Sequence, residues 1–218
     1  MLERILPPPV AVVAETGDRE VELFPEEEAA LGKAVEKRRR EFVTARACAR
    51  EALAQLGLPA QPVPTGARGE PLWPQGVVGA ITHCTGYRAC AVAPASQLLA
   101  IGVDAELDDA LPPGVLGDIA LPEERRWIEA AAAHDPGTSW DRLLFSIKES
   151  IYKAWFPLAG TWLGFEDASV AVDREQGTFS ARLLVPGPVV EGRRLGGFEG
   201  RWLAAEGLVL SAIAVPAP

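Results

Sequence analysis

Leu98-Leu99-Ala100-Ile101-Gly102-Val103-Asp104-Ala105-Glu106 is an apolar run that stops abruptly in two carboxylates. A short continuous apolar run of this kind reads as a buried strand. In an extended chain, residues two apart point to the same side, so Asp104 and Glu106 present their carboxylates together at the strand's end. Adjacent anions repel unless a cation lies between them. Hard oxygen ligands here suit Mg²⁺, which completes its shell with water and substrate phosphate. A polar strand end turning into solvent has the same letters, so the pair alone decides neither reading.

Outward from this run, the chain looks alike on both sides. Upstream, residues 10–13 and 21–24 read as short strands around a turn at Thr16-Gly17-Asp18. Pro25 suits a first helical position, and Glu26, Glu27 and Glu28 suit the positive end of a helix. Leu31, Val35, Phe42, Ala45, Ala49, Leu53 and Leu56 then recur near helical period, so one helix is expected from Pro25 to Gly57. Residues 59–76, rich in Pro and Gly, are loop, and strands follow at 77–82, 89–93 and 98–104.

Downstream, a loop covers 108–120 and a helix covers 122–134. A stronger helix spans 139–156, striped by Trp140, Leu144, Ile147, Ile151 and Trp155 and ended by Pro157. Strands are expected at 168–172, 178–184, 198–204 and 208–215. No repeat of fixed period is visible. The similar content still predicts an α+β fold of two halves packed side by side, 1–103 and 104–218, meeting near residues 104–108.

Composition narrows the function. The 218 residues are 48% hydrophobic, enough to bury a core. No apolar run reaches the roughly 20 residues that span a bilayer, and the Pro-rich start lacks a secretory segment. A soluble cytoplasmic protein without a membrane partner is expected. A net charge of −9 argues against nucleic-acid binding. An anionic ligand must meet a local basic cluster such as Lys37, Arg38, Arg39 and Arg40, followed by Arg46 and Arg50. Cys48, Cys84 and Cys90 form no CxxC pair, and His83 and His134 are the only histidines, so a zinc site and a disulfide framework are disfavoured.

Three further groups could carry chemistry. Glu149 and Lys153, four apart on a helix, share a face beside Lys148. They are either a surface pair contributing about 0.2–0.5 kcal/mol, or a third metal ligand or base at Glu149 with Lys153 as a cation that neutralises charge on a phosphate oxygen. Arg38 and Arg46 lie about 12 Å apart along a helix, within reach of one extended polyanion. Each could equally belong to a solvated basic face balanced by Glu36 and Glu41. Arg68-Gly69-Glu70-Pro71 forms a loop whose backbone can meet a ligand, and Thr82-His83 ends a strand with a hydroxyl and an imidazole.

Taken together, the segments GVDAE (102–106) and WDRLLFSIKESIYKA (140–154) resemble the hallmark pair of the 4′-phosphopantetheinyl transferases that serve peptide and polyketide synthetases. The upstream blocks RRREFVTARACAREAL (38–53), GEPLWPQG (69–76) and THCTGYRA (82–89) are similar to those of actinobacterial members. The resemblance runs from about Pro25 to the C-terminus. It implies a pseudo-dimer of two similar α+β halves, working as a monomer, with the active site in the cleft between them.

The resemblance also implies the reaction. Phosphopantetheine passes from coenzyme A to a serine of apo acyl or peptidyl carrier proteins, and 3′,5′-ADP leaves. Mg²⁺, with Mn²⁺ as the alternative, would be held by the Asp104-Ala105-Glu106 segment and Glu149. Arg38, Arg46 and His83 would bind phosphates of the adenosine end, with Thr82 beside them. Gly69, Glu70 and Pro71 would border the adenine, Arg68 would supply the charge of a phosphate-contacting lysine that some relatives carry, and Lys148 and Lys153 would flank the pyrophosphate. Glu149 is the candidate base and Lys153 the group that stabilises the leaving phosphate. Two positions depart from the commonest pattern: Ala80 stands where many relatives have Ser, and Thr65 stands near a position where some have Lys. Rival readings are a coenzyme A or nucleotide binder without catalysis, and a metal-dependent hydrolase.

Overall fold

The computed structural model describes residues 1–32 and 34–218. Strand β1 (Ala11–Glu15), helices α1 (Pro25–Leu31) and α2 (Glu36–Gln55), and strands β2 (Val77–Cys84) and β3 (Tyr87–Pro94) make the first half. Then come β4 (Leu98–Leu107) and helices α3 (Val115–Ile119), α4 (Pro122–His134) and α5 (Trp140–Ala159). The chain finishes in β5 (Ala168–Asp173), β6 (Thr178–Leu183), the small pair β7 (Val189–Val190) and β8 (Arg193–Arg194), β9 (Gly197–Ala205) and β10 (Leu208–Pro216).

Two antiparallel sheets result, ordered β1-β3-β2 and β4-β10-β9-β6-β5. Alternation along the strands sorts their faces. Ala89, Ala91 and Ala93 of β3 join Ile101, Val103 and Ala105 of β4 and Leu208, Leu210 and Ala212 of β10 in a central cluster. The opposite faces turn outward. Cys90 and Val92 meet Cys48, Ala49, Ala52 and Leu53 of α2. Ala100, Val209 and Ile213 meet Leu144, Ile147 and Ile151 of α5. Each half is thus a long helix laid on an antiparallel sheet, which is the α+β pseudo-dimer expected.

Several local expectations need correction. Residues 21–24 form no strand, and β1 pairs instead with β3, Ala11 opposite Val92. The single helix expected from Pro25 to Gly57 is two, broken at Gly32, whose φ of +51° suits glycine. Lys33, within that expected span, lies outside the described residues. Val35, placed on the apolar stripe, is 72% exposed. Pro157 does not end α5, although it removes one N–H bond from the last turn. The helix runs on to Ala159 and stops at Gly160 in left-handed conformation. The loop at 108–120 contains α3. Strand β4 crosses the division drawn between 103 and 104, because its pairing with β10 extends over residues 98–107.

A duplicated device explains why α1 folds back. Glu27 is fully buried at the third position of α1, and Glu124 is fully buried at the third position of α4. Each helix opens with proline. Each carboxylate accepts the N–H just before its helix, from Phe24 at 3.0 Å and from Leu121 at 2.7 Å. Each accepts a second N–H from a distant segment, Val63 at 2.9 Å and Val170 at 2.8 Å. Each is paired with a cation on the long helix of its half: Arg50, with Arg46 at 4.0 Å, for Glu27, and Lys148 at 2.8 Å for Glu124. A buried carboxylate needs such a cage to remain ionised. The two halves therefore share an internal anchor although the sequence shows no periodic repeat.

Candidate active site

The face of β4 that meets α5 carries Gly102, Asp104 and Glu106 in succession. Gly102 has no room for a side chain: a Cβ there would lie 1.9 Å from the Ser150 carbonyl oxygen and 2.9 Å from the Ala154 nitrogen. The α5 backbone therefore rests directly on the strand. That contact brings Glu149 and Lys153, which flank Ser150 and Ala154, toward Asp104.

Asp104 is almost fully buried. Its Oδ1 accepts from the Lys153 ammonium at 2.7 Å and from the Thr82 hydroxyl at 3.3 Å. Lys153 also donates to the Val103 carbonyl at 3.0 Å. Asp104 Oδ2 is buried and has no hydrogen-bond partner among the described residues. An ionised oxygen in that state is costly, and a cation is the partner that would satisfy it. Glu106, two residues on, is half-buried and salt-bridged to Arg142 at 3.3 Å. Burial pushes its carboxyl up to about 7, helped by the Asp104 charge and opposed by Arg142 and Lys153. Burial likewise raises Glu149, with Lys153 opposing and Asp104 adding to the shift. Among the described residues, no three acidic, His or Cys side chains already close on one point as a ready-made metal cage. The donor set nonetheless fits a hard divalent cation: an orphaned carboxylate oxygen and two carboxyls whose ionisation the site disfavours.

Thr82 and His83 approach from β2, the edge of the first sheet. Thr82 is buried, and its hydroxyl accepts from the Ala105 N–H at 2.9 Å while donating to Asp104. It is thus occupied in joining the halves rather than free for an anion. His83 Nε2 lies 2.6 Å from Arg38, and His83 Nδ1 lies 3.7 Å from Glu41. Burial lowers its pKa, with the Arg38 charge adding to the effect. Arg46 is buried against the Phe42 ring at 4.1 Å and donates to Thr65 at 2.9 Å. Burial pushes its guanidinium down to about 10. The loop at 64–72 is tight: Gly66 donates to the Glu70 carbonyl, and the Glu70 carboxylate folds over Gly66 to accept the Arg68 N–H at 2.8 Å. Burial raises the Tyr152 phenol on α5, with the Arg68 charge of this loop opposing and Glu70 adding to the shift.

Lys148 stands apart from this group. Its ammonium is buried, paired with Glu124 and donating to the carbonyls of Phe165 at 2.7 Å and Ala168 at 3.2 Å. Two features escape sequence reasoning. Arg142 holds Glu106 and donates to the carbonyls of Asp109 and Ala110, fixing the loop after β4. A groove of about 240 Å³ beside Glu149 is lined by Tyr152, Trp162, Leu163, Phe165 and the Lys148 stem. Trp162, 65% exposed and 4.9 Å from the Tyr152 ring, was the available signal, a lone aromatic in a Gly-rich turn.

Carboxylates, a lysine and a basic cluster gather at the seam of two helix-on-sheet halves, which makes this a duplicated α+β fold with a candidate site between the halves. Comparison with known proteins makes the assignment specific. The sequence model described as the 4′-phosphopantetheinyl transferase N-terminal domain matches residues 26–93. That of the 4′-phosphopantetheinyl transferase superfamily matches residues 100–191. The chain is 59% identical to the 4′-phosphopantetheinyl transferase Svp of Streptomyces mobaraensis, over 90% of this chain and 80% of that one. It is 48% identical to Npt of Nocardia iowensis, over 98% and 99%, and 47% identical to PptT of Mycobacterium tuberculosis, over 87% and 85%. The chain belongs to the 4′-phosphopantetheinyl transferase family.

Proposed function

We propose that this enzyme transfers the 4′-phosphopantetheine arm of coenzyme A to a serine of apo acyl or peptidyl carrier proteins, as a monomer. The observation that carries the site assignment is the seam itself: Asp104 with an unpartnered buried oxygen, held by Lys153 from α5 and Thr82 from the other half.

In this reading the first half takes the adenosine end of coenzyme A. Arg38 and His83 offer cationic and imidazole donors at the mouth of the seam, Arg46 lies behind them, and the loop at 68–71 borders the base. The second half takes the pyrophosphate. Asp104, Glu106 and Glu149, with the Ala105 backbone between the first two, would hold Mg²⁺ or Mn²⁺. Bound there, the ion supplies charge neutralisation for the pyrophosphate oxygens. The apolar groove beside Glu149 suits the pantetheine arm, since tyrosine, tryptophan and phenylalanine offer little to a phosphate.

Serine is a weak nucleophile at neutral pH and needs a base. Glu149, whose carboxyl is raised by burial, takes the proton directly or through a water. The serine oxygen forms a bond to the β-phosphorus, the bond from that phosphorus to the bridging oxygen breaks, and 3′,5′-ADP leaves. Lys153 would neutralise charge on the departing phosphate.

The test is direct. The protein is incubated with coenzyme A, Mg²⁺ and an apo carrier protein, and the carrier is weighed by mass spectrometry. The expected result is a gain of the phosphopantetheine mass, lost in Asp104→Ala with circular dichroism unchanged. No gain with several carriers rejects the activity, and full activity of Asp104→Ala removes that residue from the site.

A further inference from the structure

Lys148 precedes the candidate base yet has a buried side chain with three oxygen partners: a Glu124 carboxylate oxygen and the carbonyls of Phe165 and Ala168. Phe165 and Ala168 form one wall of the groove beside Glu149, and α5 forms the other through Glu149, Ile151 and Tyr152. The ammonium is therefore a tie between the two walls. Its counter-charge lies outside the groove. Glu124 is fully buried on α4, and its Oε1 accepts the Val170 N–H, which follows the groove wall into β5. The equivalent Glu27 in the first half is tied in the same way to Val63, at the entrance of the loop at 64–72.

We propose that Glu124 is a positioning residue for pantetheine transfer: through Lys148 it sets the separation between the Phe165–Ala168 wall and the helix that carries Glu149. The inference rests on the proposed reaction and adds a residue that touches neither coenzyme A nor carrier. Three donors fix the Glu124 carboxylate: the Leu121 N–H, the Val170 N–H and the Lys148 ammonium. The ammonium has no freedom left once it spans that carboxylate and two carbonyls. Neutralising Glu124 releases the lysine and lets the wall drift from the base.

The experiment compares the wild type, Glu124→Gln, Lys148→Met and the double variant in the carrier-loading assay. It measures kcat and KM for coenzyme A, and calorimetric affinity for 3′,5′-ADP, which has the adenosine end and no arm. Each single variant is expected to lower kcat/KM by on the order of tenfold to a hundredfold. The double variant should be no worse than the worse single one, and 3′,5′-ADP affinity should stay at the wild-type value. Wild-type kcat and KM in Glu124→Gln overturn the proposal, as do losses that multiply in the double variant or 3′,5′-ADP affinity that falls with kcat/KM. Where a single variant does not fold, the double variant, which leaves no lone buried charge, decides: full kcat/KM overturns the proposal, and reduced kcat/KM with intact 3′,5′-ADP affinity supports it. A wild type that loads no carrier fails at the reaction itself and takes this inference with it. An active wild type beside an equally active Glu124→Gln removes this inference alone.

Discussion

Glu106 carries the clearest pH signature at the residue scale. With its carboxyl pushed up to about 7, the folded chain holds that proton at pH values where the unfolded chain has lost it. Its stabilising contribution is full below the ordinary carboxylate range and disappears as pH rises through 7. Glu106→Gln, neutral throughout, should therefore melt progressively higher than the wild type as pH rises from about 5 to about 8 in chelator-treated buffer. A gap independent of pH would show that the carboxyl is not held neutral. Thr82→Val keeps the shape of its side chain and leaves the buried Ala105 N–H without an acceptor. A loss of about 1–3 kcal/mol in urea unfolding is expected, with reduced carrier loading because Asp104 loses one of its donors. Asp104 and Glu106 were legible as a pair because alternation along a strand is a local rule. The roles of Thr82 and Lys148 were not, because their partners lie 22 and 24 residues away and only folding brings them together.

At the scale of elements, α5 was the most legible part of the chain. Its stripe of Trp140, Leu144, Ile147, Ile151 and Trp155 is buried throughout, and Glu149 and Lys153 share the face expected. The strand expected at 21–24 failed for a physical reason. β1 satisfies its backbone by pairing with β3, a match between residues 11–15 and 88–92 that no local pattern encodes. The break between α1 and α2 was hidden likewise, since Gly32 reads as a tolerable helix residue until Glu27 is seen to need its cage. The contact of α5 on β4 makes a sharp prediction. Gly102→Ala places a methyl group against helix backbone, which cannot yield as a side chain could. It should cost about 3 kcal/mol or more in chemical unfolding and lower carrier loading in the fraction that stays folded. Wild-type stability in that variant would mean the helix is free to lift from the strand.

The whole molecule is two halves with matching anchors at Glu27 and Glu124. Glu27→Gln removes the counter-charge of Arg50 and weakens the hold on Arg46, leaving a buried cation unpaired, and should destabilise the chain by about 3–5 kcal/mol in calorimetric or urea unfolding. A change within 0.5 kcal/mol, the range of ordinary surface substitutions, would show that the first-half anchor is dispensable. Among the described residues, no helix is long and apolar enough to cross a membrane. The seam has a consequence for motion. Thr82 binds both the Asp104 carboxylate and the Ala105 backbone, so any parting of the halves along this seam breaks both bonds at once and takes from Asp104 one of its two donors.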